Sequence, residues 1–224
     1  MVVPSDRVEP GSVPEAAPPV RALRTWQLAV LVAGLQVASA AYMNRVVLGD
    51  DLLPALLGSA SPGLEAARRW RTLAYVLAPV EVVARAGFVS LLVQLALLPA
   101  IRNPPLGRIF RAALWAHLAL VAGRFVETAW LASLPAAALL QGLNEAPPGS
   151  LSRLFGSGSH APEAVHLLAS QVSLFELGWL GLFVLALEGG PRLPLRAALA
   201  AVGAVWLVLT LSKWVFLLYL GRIA

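Results

Sequence analysis

Six charged side chains stand inside stretches that are otherwise apolar: Glu81, Arg85, Arg124, Glu127, Glu176 and Lys213. Buried carboxylates can titrate near neutral pH, and guanidinium and ammonium groups hold anions. Spacing groups them further. Glu81 and Arg85 are four residues apart and Arg124 and Glu127 three apart, so each pair shares one helix face and is expected to pair locally. His117 precedes Arg124 by seven residues, at nearly the same angle, so His117, Arg124 and Glu127 form one polar stripe. A stripe of this kind must face other helices or a wet cavity, because a lone charge at the bilayer centre costs about 3 kcal/mol.

Two chemistries are compatible with this set. In one, His117, Glu127, Glu176 and Lys213 form a proton or ion path. In the other, the charges satisfy each other across helices and fix which faces point inward. The presence of three acids and three bases suits mutual pairing. Arg85 and Lys213 also stand close enough to their span ends to reach a headgroup layer. The pair Glu81 and Arg85 marks the entry to its span.

The elements that must carry these groups are helices in lipid. The chain has 224 residues, 58% hydrophobic and only 13% charged, with a mean hydropathy of +0.75. A soluble domain carries about 25% charged residues, so lipid is the expected main solvent. The expected fold is all-α: a polytopic membrane protein of about five transmembrane helices plus an interfacial amphipathic helix. Residues 1–20 hold five prolines without helical periodicity and are expected to be a disordered tail. Residues 21–224 form the membrane domain, with spans at about 25–43, 82–101, 112–134, 166–187 and 195–220. Trp26 and Tyr42 stand near the ends of the first, where interfaces favour aromatics. Arg21, Arg24 and Ala38-Ser39-Ala40 also have the form of a signal peptide; the Pro-rich leader and the small residues Gly34 and Ala38 favour an uncleaved span. Leu64, Ala67, Trp70, Leu73 and Leu77 follow helical spacing, with Glu65, Arg68, Arg69 and Arg71 largely off that stripe. This segment is read as a helix on the membrane surface, leading through Pro79 into the second span.

Small residues recur four apart at Gly34/Ala38, Ala112/Ala116, Ala119/Gly123 and Ala197/Ala201, a spacing that lets helices approach closely in lipid. With the N-terminus inside, the inner segments hold eight arginines against six in the outer ones. That bias expects the N-terminus in the cytoplasm, across what is read as a bacterial inner membrane.

Composition and motifs exclude several classes. The net charge is +5, but no basic cluster interleaved with aromatics appears, so nucleic acid is not an expected partner. Cysteine is absent, which removes disulfides, thiolate metal sites and thiol nucleophiles. No phosphate-binding loop, dinucleotide fingerprint, nucleophile elbow or H-E-x-x-H motif is present. Gly156-Ser-Gly-Ser-His160 has the composition of a loop, and His160, Glu163 and His166 read as loop residues before a metal site. No catalytic residue, metal or cofactor is expected.

Four stretches carry a resemblance. Arg69-Trp70-Arg71-Thr72-Leu73 approaches the second span, and PPLGRIFRAALWAH (Pro104–His117) opens the third. SLFELGWLGLFVLAL (Ser173–Leu187) is followed by a basic turn and ALAAVGAVWLVLTL (Ala198–Leu211). With the Pro-rich leader, this layout resembles the prokaryotic branch of the Yip-type integral membrane proteins, over most of the chain from Arg21. The resemblance implies a five-helix membrane domain with a cytoplasmic N-terminus and no catalytic chemistry. It implies a non-enzymatic membrane scaffold or organiser, acting through membrane lipid or other membrane proteins. The alternatives are a small proton- or ion-coupled transporter of unknown substrate, using Arg124, Glu127 and Glu176, and an accessory subunit of a larger membrane complex.

Overall fold

The structure, a computed structural model, describes residues 23–46, 49, 62–135, 138–139, 146–155, 163–188 and 193–221. The tail over 1–20, the loop after the first span around Asp50 and Asp51, and the segment Gly156–His160 lie outside the described residues. Among those described, every regular element is helical. They are α1 (Thr25–Val46), α2 (Pro62–Leu97), α3 (Leu106–Ala132), a 3-10 turn (Leu151–Phe155), α4 (Glu163–Ser170), α5 (Leu174–Glu188) and α6 (Leu195–Gly221). Within α1, α2, α3 and α6 lie stretches long and apolar enough to cross a membrane: Thr25–Arg45, Arg69–Leu97, Leu106–Ala132 and Leu195–Tyr219. The chain is thus of the multi-pass membrane type.

Two expected boundaries give way to the structure. Pro79 neither ends nor separates a helix: α2 runs unbroken for 36 residues, about 54 Å at ~1.5 Å per residue. The amphipathic stretch from Leu64 to Leu77 is therefore the first part of α2 rather than a separate surface element. The stretch expected as one span over 166–187 is instead two helices. It breaks at Gln171-Val172-Ser173, because Ser173 caps a new helix: its Oγ accepts the Glu176 backbone N–H at 3.1 Å. Ser173-Leu-Phe-Glu176 has the form of a capping box, a start signal inside an apolar run. The resulting α5 has 15 residues, about 22 Å, well short of a hydrocarbon core of ~30 Å.

α3 is the hub, packed against α1, α2 and α5, while α6 closes the bundle against α2 and α5. In lipid no hydrophobic force draws apolar helices together, so close fit and polar contacts must. The core is built accordingly from small and branched residues on α3 (Ala112, Ala113, Ala116, Val121) and α6 (Ala198, Ala201, Val202), around Phe183 of α5. Trp179 meets Phe183 edge to face, with centroids 5.3 Å apart. Leucine and valine side chains such as Val30, Leu95, Leu185 and Val208 point outward, as lipid requires and water would not tolerate on this scale. Trp26 is exposed near the start of α1. Tyr42 instead packs on Phe125 of α3, with ring centroids 6.2 Å apart.

The small-residue spacings divide between the faces. Ala112 and Ala116 are buried. Gly123 and Ala119 meet α5: a Cβ on Gly123 would lie 2.7 Å from Cγ of Phe175, and one on Gly178 would lie 3.7 Å from Cβ of Ala119. Gly34 and Ala38 are exposed on α1, with nothing within 4 Å of a Cβ at Gly34. This contrast generates a prediction. Gly123→Ala should destabilise the protein by about 1–3 kcal/mol, because Phe175 is met at the root of its ring and must move. Gly34→Ala should stay within about 0.5 kcal/mol of the parent or gain slightly from helix propensity. Thermal denaturation of both variants in one detergent checks this; equal effects would contradict the close α3–α5 approach.

Candidate intramembrane cleft

The polar groups gather in the half of the bundle where α1 and α3 end. Glu127 is five residues before the end of α3, Glu176 lies in the first turn of α5, and Lys213 is eight residues before the end of α6. Because α5 starts so late, it leaves a gap between α3, α2 and α6. That gap is a half-open cleft of about 170 Å³, lined by Arg85, Arg124, Glu127, Glu176 and Lys213 together with Leu120, Gly123, Phe175, Pro147, Pro148 and Ser173.

Irregular backbone walls part of it. Pro147-Pro148-Gly149 turns with Gly149 at φ +84°, a left-handed conformation that favours glycine. The strand-like segment that follows is stitched to the start of α5: Leu151 N–H donates to Val172 C=O at 2.8 Å, and Leu174 N–H to Gly149 C=O at 2.9 Å. Ser150 and Ser173 face each other in an isolated antiparallel bridge. Non-helical backbone at membrane depth is tolerated where protein buries it or where it lines a wet cavity. Arg153 holds this loop from outside, donating to Ala146 C=O at 2.8 Å and lying 4.5 Å above the Trp130 ring.

The charges do not pair as their spacing suggests. Arg124 forms a two-pronged ion pair with Glu81 of α2, Nη2 to Oε1 at 2.8 Å and Nη1 to Oε2 at 3.5 Å. Gln36 of α1 donates to the same carboxylate at 3.4 Å. Glu81 is thus the joint of α1, α2 and α3. The second pair, Lys213 Nζ to Glu176 Oε1 at 3.5 Å, bridges α6 and α5. Glu176 Oε2 is buried and accepts no hydrogen bond among the described residues. Glu81 on the facing helix presents both carboxylate oxygens to Arg124, the two-pronged arrangement that suits a planar guanidinium.

Two charges remain over. Among the described residues, neither Arg85 nor Glu127 makes a hydrogen bond or an ion pair, though both line the cleft. Arg85 lies within electrostatic reach of Arg124, Glu176 and Glu81. It is an inward cleft residue, where a reach to the headgroups was also open. His117 is buried on α3, within electrostatic reach of Arg85, Arg124 and Glu81, but it does not line the cleft. Among the described residues no three His, Asp or Glu side chains come together as metal ligands.

Gln36 was not among the expected site residues. Its signal was available, as a lone amide in the middle of the apolar run AVLVAGLQVASAAY. Pro147, Pro148 and Phe175 carried no such signal, because their role follows from where α5 starts. The chain matches no model of a known protein family, no curated protein sequence and no solved structure.

A double-mutant cycle distinguishes the two pairing schemes. Glu81→Gln with Arg124→Gln should show a coupling energy of about 1–2 kcal/mol, within the usual range for residues in one ion-pair network. Arg124→Gln with Glu127→Gln should be additive within about 0.5 kcal/mol. Unfolding midpoints of the single and double variants in one detergent provide the measurement. Coupling in the second cycle and none in the first would refute the interhelical joint.

Proposed function

We propose that this chain is a small proton- or ion-coupled transporter whose polar solute binds in the cleft. One observation carries the reading: Arg85 and Glu127 line an intramembrane cavity, and among the described residues neither makes a hydrogen bond or an ion pair. Mutual pairing accounts for Glu81 with Arg124 and for Glu176 with Lys213. It leaves no role for the other two. A charge held inside a membrane bundle without a protein partner needs water, an ion or a solute beside it. The cleft has room for a few waters, each occupying about 30 Å³ in the liquid, or for one small molecule in their place.

The side chains divide the work. Glu127 offers a carboxylate for a proton or cation, and Arg85 offers a guanidinium for an anionic group. The pair between Lys213 and Glu176 is long and joins the two helices that flank the opening. It is the contact that a solute would break and remake as α5 and α6 separate. Glu81, Arg124 and Gln36 form the fixed frame. With the N-terminus in the cytoplasm of a bacterial cell, as the arginine distribution favours, the cleft opens to the outer face of the inner membrane.

A second reading is favoured by the exposed Gly34/Ala38 face of α1. Small residues on a lipid-facing helix suit docking by another membrane helix. That would serve a non-enzymatic organiser of the Yip type, or an accessory subunit of a larger complex.

Reconstitution in liposomes loaded with a pH-sensitive dye tests the leading reading. The parent should carry a proton flux that Glu127→Gln abolishes. Because Glu127 makes no hydrogen bond or ion pair among the described residues, that variant should melt within about 0.5 kcal/mol of the parent. Glu176→Gln should also lose flux and should cost stability, since Lys213 loses its partner. Absence of flux in the parent, with stoichiometric co-purification of another membrane protein in mild detergent, would favour the second reading instead.

A further inference from the structure

We infer that the cleft recognises a small zwitterion, its anionic end on Arg85 and its ammonium end on Glu127. This rests on the reading of the cleft as a solute site and specifies the solute. Among the described residues, the cleft charges that make no hydrogen bond or ion pair are one cation and one acid, on different helices, facing one cavity. No ion pair joins them. Both charges face the cleft without an ion pair among the described residues, and each is favoured by a complement of opposite sign placed there.

Net charge narrows the occupant. The cleft's three cations are Arg85, Arg124 and Lys213, and its acids Glu127 and Glu176 are joined by Glu81 through its pair with Arg124. The assembly is formally neutral. A lone anion on Arg85 would leave Glu127 bare, and a lone cation on Glu127 would leave Arg85 bare. A molecule with both charges satisfies both ends and leaves the assembly neutral. The volume of about 170 Å³ and the walls of Leu120, Phe175, Pro147 and Pro148 leave space between the ends for a short alkyl spacer and no bulky substituent.

The same chemistry is available from a free amino acid or from the ethanolamine phosphate headgroup of a lipid, and the test separates them. The full chain is placed in nanodiscs of phosphatidylglycerol alone and melted with glycine, β-alanine or γ-aminobutyrate, whose charges stand progressively further apart. Propionate and propylamine serve as single-charge controls. At least one of the three zwitterions should raise the melting temperature saturably, and neither control should do so. Arg85→Gln and Glu127→Gln should each weaken that binding by at least about tenfold, the loss expected for a charge-assisted contact. A rise produced only by phosphatidylethanolamine in the disc, and lost in both variants, would support the zwitterion site and assign it to a headgroup. An equal rise with propionate or propylamine would overturn the inference, as would no response to any zwitterion or to phosphatidylethanolamine. The liposome flux is independent of these probes. A Glu127-dependent flux without any zwitterion response would sink this inference and leave the transport reading standing.

Discussion

A charged side chain in hydrocarbon must find a partner, and the way this bundle meets that demand determines most of its architecture. Glu81 is the clearest case. Its carboxylate receives both prongs of the Arg124 guanidinium from α3 and the amide of Gln36 from α1. Three helices are fixed in rotation by one group, in a medium where apolar contact alone is a weak guide to which face turns inward. The small residues of α3 then allow that joint to form at close range. Gly123 in particular lets the Phe175 ring of α5 lie where a Cβ would stand.

The same demand explains the cleft. Ser173 starts α5 partway down the bundle, so one wall is about 22 Å of helix and the remainder is the Pro147–Ser150 turn stitched to residues 172–174. A short helix beside longer ones leaves a recess, and a recess inside a membrane bundle is where unpaired charge can be kept. Arg85 and Glu127 stand in it. Structure and function meet at this point: four charges hold the bundle together, and two face the cleft.

Much of this was legible in the residues and some was not. Composition and the lengths of the apolar runs suffice for an all-helical, multi-pass chain, because lipid imposes those lengths directly. The identity of the charged residues was also visible, since few such groups occur in apolar runs. Their pairing was not. Spacing along a helix ranks neighbours on that helix, whereas Arg124 found a better acceptor on α2 than three residues away on its own turn. The break before Leu174 was written in the sequence as Ser173 and Glu176, but the mainly apolar stretch from Ala164 to Leu187 outweighs a cap signal when read by hydropathy. Pro79 shows the reverse: it reads as punctuation, yet α2 continues through it. The exposed face at Gly34 and the buried one at Ala112 have the same spacing, and only the packing tells them apart.

The central claim is that the cleft is wet and open on the side where α3 and α6 end, and the absence of native cysteine allows a direct measurement. Single cysteines at Leu120, Glu127, Leu114 and Leu199 would be exposed, in sealed oriented vesicles, to a membrane-impermeant thiol reagent added from each side. The account predicts rapid modification of Leu120→Cys and Glu127→Cys from that one side. Leu114→Cys in the core and Leu199→Cys on the outward surface should stay unmodified. Unreactive cysteines at both cleft positions, from both sides, would contradict it.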